Sequence, residues 1–265
     1  MDQPQIRIRG VHKVFSTGGA EVVALKGIDL EIRQGEFVCL LGPSGCGKST
    51  LLNAVAGFSL PTAGEILVDG RTVQAPGPDR GMVFQEYALF PWMTVEANIA
   101  FGLQIKNRPK AEIQETVDGL LGMLHLREFR SRFPKDLSGG MRQRVAIARV
   151  LALDSQILLM DEPFGALDAL TRRNLQDELL RVWTDLKKTV LFVTHSLEES
   201  IYLADRIVLM TYRPGTIKLS AAVDMPRPRE VSSPEFNALK RELGGLLMEE
   251  QNRHAEAEFT GAAVD

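Results

Sequence analysis

The sequence is short of the features that mark several classes of protein. It has only two cysteines in 265 residues, which excludes a disulfide framework and a cysteine-rich metal site and fits a reducing compartment. Its longest apolar runs, such as Phe37 to Leu41, fall far short of the about 20 residues that cross a bilayer. The N-terminus has no apolar signal core, so nothing predicts export. A net charge of −3 gives no basic excess for binding nucleic acid.

Alternating apolar and polar residues mark the start of the chain as β structure. The alternation covers residues 6–15 and 22–32, on either side of a turn-like Ser16-Thr17-Gly18-Gly19, and predicts antiparallel strands with one buried face. Residues 37–41 are apolar throughout, as in a strand buried on both faces of a sheet. Further on, strands that alternate with helices predict a parallel sheet with crossover helices. These strands are expected at 157–160, 190–194 and 206–210, with a helix at 169–187 between the first two. A helix is also expected at 48–57, and short strands at 65–68 and 81–84.

The middle of the chain follows helical spacing and interrupts that order. We therefore predict a helical lobe inserted into a core, followed by a proline-rich linker, a last helix and a polar tail. The predicted boundaries are 1–91 and 154–222 for the core, 92–153 for the helical lobe, and 223–265 for the linker, helix and tail.

The last helix is expected over residues 233–250, and its apolar face includes Phe236 and Leu243. We expect that face to pack on its own domain, with docking to a partner as the alternative. The tail is expected to fray from His254.

The turn between the buried strand and the first helix matches G-x-x-x-x-G-K-[ST], a pattern that binds nucleotide phosphates. Its glycines let backbone N–H groups approach phosphate oxygens, and the following helix directs its positive dipole end at the anion. Lys48 would reach the β- and γ-phosphates, and the Ser49 hydroxyl would ligate Mg²⁺. The alternative is a chance match, with Cys46 a bystander in either case. The predicted nucleotide-binding residues here are Gly42, Pro43, Ser44, Gly45, Cys46, Gly47, Lys48, Ser49 and Thr50.

A second apolar strand, 157–160, delivers Asp161 and Glu162 at its carboxyl end. Ligands of open α/β sheets bind at that edge, so these carboxylates and the phosphate-binding turn are expected to converge there. Asp161 would hold Mg²⁺, and Glu162 would be the general base for the attacking water. The alternative is an acidic pair that caps a loop or helix. The patterns together predict an α/β P-loop NTPase core, with a mostly parallel sheet and flanking helices, an N-terminal antiparallel β region and an inserted helical lobe.

A helical pattern before Asp161 is preceded by Leu137-Ser138-Gly139-Gly140-Met141-Arg142-Gln143-Arg144. Together with the phosphate-binding turn, this segment resembles the nucleotide-binding subunit of ABC transporters over nearly the whole chain. Other markers of that family follow at compatible spacing. Gln85 resembles the Q-loop glutamine, Gly165-Ala166-Leu167-Asp168 the D-loop, His195 the switch histidine, and Phe15 the aromatic residue that stacks on adenine.

In this family, two chains close head to tail around two ATP molecules and separate after hydrolysis. The resemblance implies that Ser138-Gly139-Gly140, at a helix N-terminus, meets the γ-phosphate of ATP held by the opposite subunit. It also implies that His195 contacts the γ-phosphate and steadies the water near Glu162. Gln85 would ligate Mg²⁺ and report nucleotide occupancy to the membrane partner through the helical lobe.

Three positions depart from the pattern of the family. Met141 stands where the signature commonly has Gln, Gly165 replaces a common Ser in the D-loop, and Ser196 follows His195 where Asp is usual. None of these changes removes a group that hydrolysis requires.

Two segments, 80–92 and Tyr212-Arg213-Pro214-Gly215, resemble the importer branch for nitrate, sulfonates, taurine and bicarbonate. That resemblance implies a second nucleotide-binding subunit (the same chain or a close paralogue), transmembrane permease subunits, and indirectly a periplasmic or lipid-anchored solute-binding protein. It places the chain at the cytoplasmic face of the membrane, with no nucleic acid partner. Residues 86–100, which include Phe90, Pro91 and Trp92, would form a groove for a permease helix, with ordinary packing as the alternative.

Two other functions remain open at this point. The first is a soluble ABC ATPase of DNA repair or translation, although the chain has no sustained heptads between Lys48 and Asp161 and only one phosphate-binding turn. The second is an ATP-binding regulator without hydrolysis, against which the presence of Glu162 and His195 speaks.

Overall fold

The computed structural model describes residues 4–17 and 20–259. The strands are β1 (Ile6–Thr17), β2 (Ala20–Ile32), β3 (Phe37–Leu41), β4 (Ala63–Val68), β5 (Arg71–Thr72), β6 (Arg80–Val83), β7 (Ile157–Asp161), β8 (Thr189–Thr194), β9 (Arg206–Met210) and β10 (Ile217–Ala222). The helices are α1 (Lys48–Ala56), α2 (Val95–Ile105), α3 (Lys110–Met123), α4 (Gly139–Leu151), α5 (Ala169–Leu186), α6 (Leu197–Leu203) and α7 (Pro234–Phe259). Within the described ranges, no helix combines the length and the apolar character needed to span a membrane.

The chain forms two compact units, residues 1–77 with 189–265 and residues 78–188. The predicted functional division at residues 92, 154 and 223 stays a prediction.

The first unit contains two groups of paired strands. Strands β2, β1, β4 and β5 form an antiparallel sheet, in which Ile6 pairs with Ile32 on one side and with Val68 on the other. Strand β3 lies between β8 and β9 and runs parallel to both, and β10 pairs antiparallel with β9. Every residue of β3 is buried, as its unbroken apolar sequence predicts. The predicted antiparallel N-terminal region and parallel sheet are both confirmed.

The second unit joins a parallel strand pair to helices. Strand β6 pairs with β7 in parallel, so Val83 lies opposite Met160. Helices α2, α3 and α4 contact one another, and α4 also contacts β6 and α5. Helix α2 begins where the Thr94 hydroxyl accepts a hydrogen bond from the Ala97 N–H at 3.2 Å, a side-chain cap that a Thr at this position provides. These helices are the predicted helical insertion.

The structure corrects the predictions at both ends of the chain. Ser16 and Thr17 continue β1 instead of turning, and Gly18 and Gly19 lie outside the described residues. Helix α7 continues to Phe259, so the expected fraying from His254 is wrong for residues 254–259. The ring of His254 lies 4.6 Å from that of Tyr212, a contact that holds this last part of the helix. Residues 260–265 lie outside the described part of the chain.

Helix α7 packs on its own unit through the apolar face that the sequence predicts. Phe236, Leu243 and Leu247 are buried, and the helix contacts α6. The Lys240 ammonium also lies 2.9 Å from the Glu198 carboxylate of α6. The elements β5, β10 and α6 are absent from the sequence-based predictions.

One buried arginine connects the linker before α7 to the end of α6. The Arg229 guanidinium donates hydrogen bonds to the carbonyl oxygens of Ile201 and Ala204, each at 2.6 Å, and also to those of Tyr202, Val223 and Met225. It thereby satisfies carbonyl groups that the end of a helix leaves unpaired. Burial, and then the positive charge of Arg227, lower the pKa of Arg229 to about 10.

We predict that Arg229→Met lowers the free energy of unfolding by about 3 kcal/mol, because several buried carbonyl groups lose their donor together. Chemical denaturation at neutral pH measures this loss. The matched control is Arg241→Met on the exposed side of α7, where a change within about 0.5 kcal/mol is expected. Equal stability of the two variants would show that Arg229 does not hold the end of α6.

Candidate functional site

The phosphate-binding turn, residues 42–50, connects buried strand β3 to helix α1. Lys48 is only 4% exposed, and its ammonium donates hydrogen bonds to the carbonyl oxygens of Gly42 and Pro43, both at 2.9 Å. The lysine therefore closes the turn from inside while remaining next to the N-terminus of α1. An anion at this position would meet the ammonium, the positive end of a helix dipole and a glycine-rich backbone.

Gly47 occupies a position in this turn that other residues fit badly. Its φ is +97°, in the left-handed region. A Cβ on Gly47 would lie 2.7 Å from Leu25 Cδ2 and 3.0 Å from the Ala24 carbonyl oxygen. The glycine of the motif therefore lets β2 approach the turn closely.

Cys46 is fully buried in the same turn, with its sulfur 3.9 Å from the Lys48 nitrogen. Burial raises the pKa of its thiol, and the nearby ammonium only partly offsets this effect. A buried thiol with a raised pKa is a poor nucleophile. The expectation that Cys46 is not a reactive cysteine therefore agrees with its surroundings.

His195 leaves the same edge of the sheet as the phosphate-binding turn. Strands β3 and β8 are parallel neighbours, and Leu41 pairs with Thr194, so Gly42 and His195 follow residues that lie side by side. The His195 side chain is exposed. Ser196 begins α6, with its hydroxyl accepting a hydrogen bond from the Glu199 N–H at 3.3 Å. Ser196, which stands where the family usually has Asp, thus caps a helix as an Asp would.

Phe15 lies on β1 in the same unit, and 41% of it is exposed. The Lys13 ammonium lies 5.1 Å from the centre of its ring, within the range of a cation–π contact. An exposed aromatic face of this kind can stack on a flat heterocycle.

In the second unit, β7 ends at Asp161, and Glu162 follows with φ of +42°. Both side chains are half-buried. A non-glycine residue with positive φ is strained, and such strain is concentrated at functional sites. The turn is held by the Gly165 N–H, which donates to the Glu162 carbonyl at 3.1 Å, and by Arg172, which donates to the carbonyl oxygens of Phe164 and Leu167.

Gln85 is exposed just beyond β6. Because Val83 and Met160 pair in parallel, Gln85 and Asp161 follow neighbouring strands at one edge of this pair. The structure thus brings together these two predicted residues within the second unit.

The predicted signature segment begins helix α4. The Ser138 hydroxyl accepts a hydrogen bond from the Met141 N–H at 3.3 Å. A Cβ on Gly140 would lie 2.6 Å from Thr171 Cγ2 of α5, so only glycine allows this approach. The Met at position 141 contributes its backbone to this cap, which explains why its side chain can differ from the usual Gln.

Asp168 of the predicted D-loop is exposed and caps α5, accepting a hydrogen bond from the Thr171 N–H at 3.0 Å. The hydrogen bonds from Thr171 lower the pKa of the Asp168 carboxyl. Asp168 and the signature segment therefore both adjoin the start of α5, through Thr171.

The chain between β6 and α2 presents aromatic side chains on a fixed backbone. The Asn98 amide group donates to the carbonyl oxygens of Phe90, Met93 and Thr94, and it accepts from the Phe90 N–H at 2.9 Å. Phe90 packs 5.7 Å from Trp92, centre to centre, and the Arg149 guanidinium lies 5.5 Å from the Phe90 ring. Trp92 itself is 70% exposed.

A family model described as ABC transporter matches residues 25–165. This chain belongs to the ABC transporter family. As a member it is an ATP-binding subunit, of the class that hydrolyses ATP to power transport.

Relatives match nearly the whole chain. An uncharacterized ABC transporter ATP-binding protein of Methanocaldococcus jannaschii is 49% identical over 93% of this chain and 92% of its own length. The nitrate import ATP-binding protein NrtD of Synechocystis is 43% identical over 95% of this chain and 98% of its own. The bicarbonate transport ATP-binding protein CmpC of Synechococcus elongatus is 48% identical over 90% of this chain, but only 37% of its own length.

Solved structures of ABC proteins share the fold. One is a dimeric ATP-binding cassette in a post-hydrolysis state bound to ADP and phosphate, with a TM-score of 0.74 and 32% identity over 83% of this chain and 100% of that one. Another, part of the transporter complex cbiONQ of Clostridium perfringens, has a TM-score of 0.77 and 28% identity over 94% of this chain and 100% of that one. The predicted α/β P-loop NTPase fold is confirmed.

The predicted Mg²⁺ ligands suit that ion chemically. Ser49, Gln85 and Asp161 offer a hydroxyl, an amide and a carboxylate oxygen, the hard donors that Mg²⁺ prefers. In the described residues, no three His, Cys, Asp or Glu side chains are grouped so that they could hold a metal by themselves.

Several residues that shape the site have no signal in the sequence. Asn98 and Arg149 fix the segment around Phe90, and Arg172 braces the turn after Glu162. Each acts through backbone carbonyls or a ring in another element. Helical spacing could place Asn98 as a polar residue among buried neighbours, but it could not name its partners.

We predict that Lys48→Ala weakens ATP binding by at least about tenfold, because the phosphates lose their positive partner. The same change leaves two loop carbonyls without their donor and lowers stability by about 1–3 kcal/mol. An ATP titration and a thermal melt measure the two effects separately. The control is Lys240→Ala, which removes a half-buried lysine on α7 that is paired with Glu198. Unchanged ATP affinity in the Lys48 variant would count against the phosphate site.

Proposed function

We propose that this ATP-binding subunit powers the import of a small solute in the class of nitrate, sulfonates, taurine and bicarbonate. The observation that carries the assignment of the nucleotide site is the turn between β3 and α1, in which Lys48, the buried first residue of α1, donates to the carbonyl oxygens of Gly42 and Pro43. The import of such a solute is supported by the relatives named for nitrate import and bicarbonate transport. In a system of this kind, the binding protein and permease select the solute.

The turn at 42–50 binds the phosphates of ATP in this proposal, and the exposed ring of Phe15 stacks on the adenine. Glu162 accepts a proton from the attacking water, and the oxygen of that water bonds to the γ-phosphorus. The bond from that phosphorus to the β,γ-bridging oxygen breaks, giving ADP and inorganic phosphate. His195 contacts the γ-phosphate and orients the water. Its position at the same strand edge as Gly42 supports this role.

Ser49, Gln85 and Asp161 hold Mg²⁺ in this scheme. When bound, the ion neutralises charge on the phosphate oxygens. Asp161 would supply one of the oxygens that hold the ion, so Glu162 is the carboxylate that remains to act as the base.

A second copy of the chain, or a close paralogue, completes each nucleotide site. The first turn of α4 is a second place where a helix N-terminus and small residues can meet an anion. Each chain has one phosphate-binding turn and one such segment, so Ser138-Gly139-Gly140 of one chain faces the γ-phosphate held by the other. Asp168 lies in the D-loop next to that contact. The dimeric form of a similar cassette supports this arrangement.

The permease docks on residues 86–100 in this proposal. Trp92 is a large apolar side chain that remains exposed, while Asn98 holds the surrounding backbone. Exposed aromatic side chains on a rigid support are typical of protein contacts. The subunit then lies at the cytoplasmic face of the membrane as a peripheral component, with the solute-binding protein on the other side.

We predict that Glu162→Gln lowers ATP turnover by at least about 100-fold, because the glutamine cannot accept the proton of the attacking water. ATP binding is expected to remain, and the closed dimer to accumulate. Phosphate release and size-exclusion chromatography with Mg-ATP measure the two effects. Glu198→Gln, at an exposed carboxylate on α6, is the control and should behave as wild type. Normal turnover by the Glu162 variant would remove that residue from its assigned role.

We further expect solute-dependent ATPase activity when the chain is reconstituted with its permease and the loaded binding protein in vesicles. Activity should rise with nitrate, bicarbonate, taurine or another sulfonate, and stay at the basal level with an unrelated sugar. The Trp92→Ala subunit should keep its basal ATPase in solution but lose stimulation, because it docks poorly. A chain that hydrolyses ATP but never co-purifies with a permease would instead be a soluble ABC ATPase.

A further inference from the structure

The loop between β9 and β10, which holds Tyr212-Arg213-Pro214-Gly215, lies against the phosphate-binding turn. The Gly215 N–H donates to the Ala24 carbonyl, and the Gly215 carbonyl accepts from the Lys26 N–H, both at 3.0 Å. A Cβ on Gly215 would collide with the Cys46 carbonyl oxygen. The Arg213 side chain also donates to the Gly45 carbonyl at 3.4 Å. The phosphate-binding turn therefore packs against both β2 and this loop, which are hydrogen-bonded to each other.

The far end of α7 holds that loop in place. The Glu250 carboxylate accepts a hydrogen bond from the Tyr212 backbone N–H at 2.9 Å through Oε2. Its other oxygen, Oε1, lies 2.7 Å from the Lys218 ammonium on β10 and 3.1 Å from the Arg253 guanidinium. His254, one turn further on, packs its ring against Tyr212. The loop is thus fixed on one side by a helix that is distant in the sequence.

Glu250 is completely buried, although it carries a charge. Burial raises the pKa of its carboxyl, but the hydrogen bonds from Lys218 and the Tyr212 N–H outweigh this effect and bring the pKa below its ordinary value. Glu250 therefore remains an anion at neutral pH, and both of its oxygens have donors. A buried carboxylate is costly unless it is paired in this way.

We propose that Glu250 is a positioning residue for nucleotide binding, which acts through residues 212–215 to hold the phosphate-binding turn in the shape that the phosphates require. The contacts form a continuous series from Glu250 to Tyr212, from Gly215 to Cys46, and from Arg213 to Gly45. Glu250 itself touches no substrate. The C-terminal helix thereby sets the affinity for ATP, and this inference rests on the proposed phosphate site.

Glu250→Gln tests the proposal without changing the shape of the side chain. Both carboxylate oxygens accept hydrogen bonds, whereas glutamine has a single oxygen, so either Tyr212 or Lys218 faces an NH₂ group instead. The control is Glu249→Gln, because Glu249 also lies 2.6 Å from the Lys218 ammonium but is largely exposed. The two variants lose the same charge at adjacent positions, and only the first touches the loop.

We expect the dissociation constant for ATP to rise about three- to tenfold in Glu250→Gln, the range that corresponds to the net contribution of one ordinary hydrogen bond. The KM for ATP should rise by the same factor while kcat stays within about twofold, because the reacting residues are untouched. The Glu249→Gln variant should match wild type in both. A nucleotide titration without Mg²⁺ and steady-state phosphate release supply the values.

Two further arms separate the possible failures. A Glu250→Gln protein with a lower melting temperature but wild-type ATP affinity has lost only stability, and this result overturns the proposal. Gly215→Ala should weaken ATP binding in the same way, and its failure to do so would also overturn it. If Lys48→Ala leaves the affinity for ATP unchanged, the assignment of the phosphate site is itself wrong. If Lys48→Ala weakens ATP binding strongly but Glu250→Gln does not change it, only the positioning role of Glu250 is rejected.

Discussion

The ammonium of Lys48 is bound by the carbonyl oxygens of Gly42 and Pro43, and the geometry of the phosphate-binding turn depends on that contact. A buried ammonium requires acceptors, and the turn supplies them from its own backbone. The turn is consequently closed between β3 and α1 before a phosphate binds. A phosphate whose oxygens replace these carbonyls as acceptors from the Lys48 ammonium meets a loop that is already ordered, which reduces the entropy lost on binding.

The residues that begin helices carry two roles at once. Ser138, Asp168 and Ser196 each accept a hydrogen bond from a backbone N–H in the first turn of α4, α5 and α6. Each of the three side chains therefore caps the helix that it precedes. These caps do not compete with function, because a cap fixes the backbone at the helix end where an anion would bind. This also explains why Met141 and Ser196 tolerate departures from the family pattern.

The parts of the fold that repeat or alternate could be predicted from the sequence. The unbroken apolar run of β3 and the glycines after it specify a buried strand and a tight turn, since both depend on local residue types. Arg229, Asn98 and Glu250 could not be found in this way. The partners of Arg229 lie up to 28 residues away and Glu250 lies 38 residues from Tyr212, so their roles exist only after the chain has folded. The individual roles of Phe15, Gln85, Glu162 and His195 remain predictions, although the strand ends bring His195 beside the turn.

The buried carboxylate of Glu250 is better explained by the hydrogen bonds with which it positions the loop than by a gain in the stability of the fold. A leucine could fill the same space without the cost of burying a carboxylate. It could not accept the Tyr212 N–H, which would then be a buried donor with no acceptor from this side chain. Hydrophobic packing depends on area and permits sliding, whereas a carboxylate that bridges a backbone N–H and the Lys218 ammonium fixes both distance and direction. The loop at residues 212–215 comes close to the Cys46 carbonyl oxygen at Gly215, so its position has to be fixed in both distance and direction.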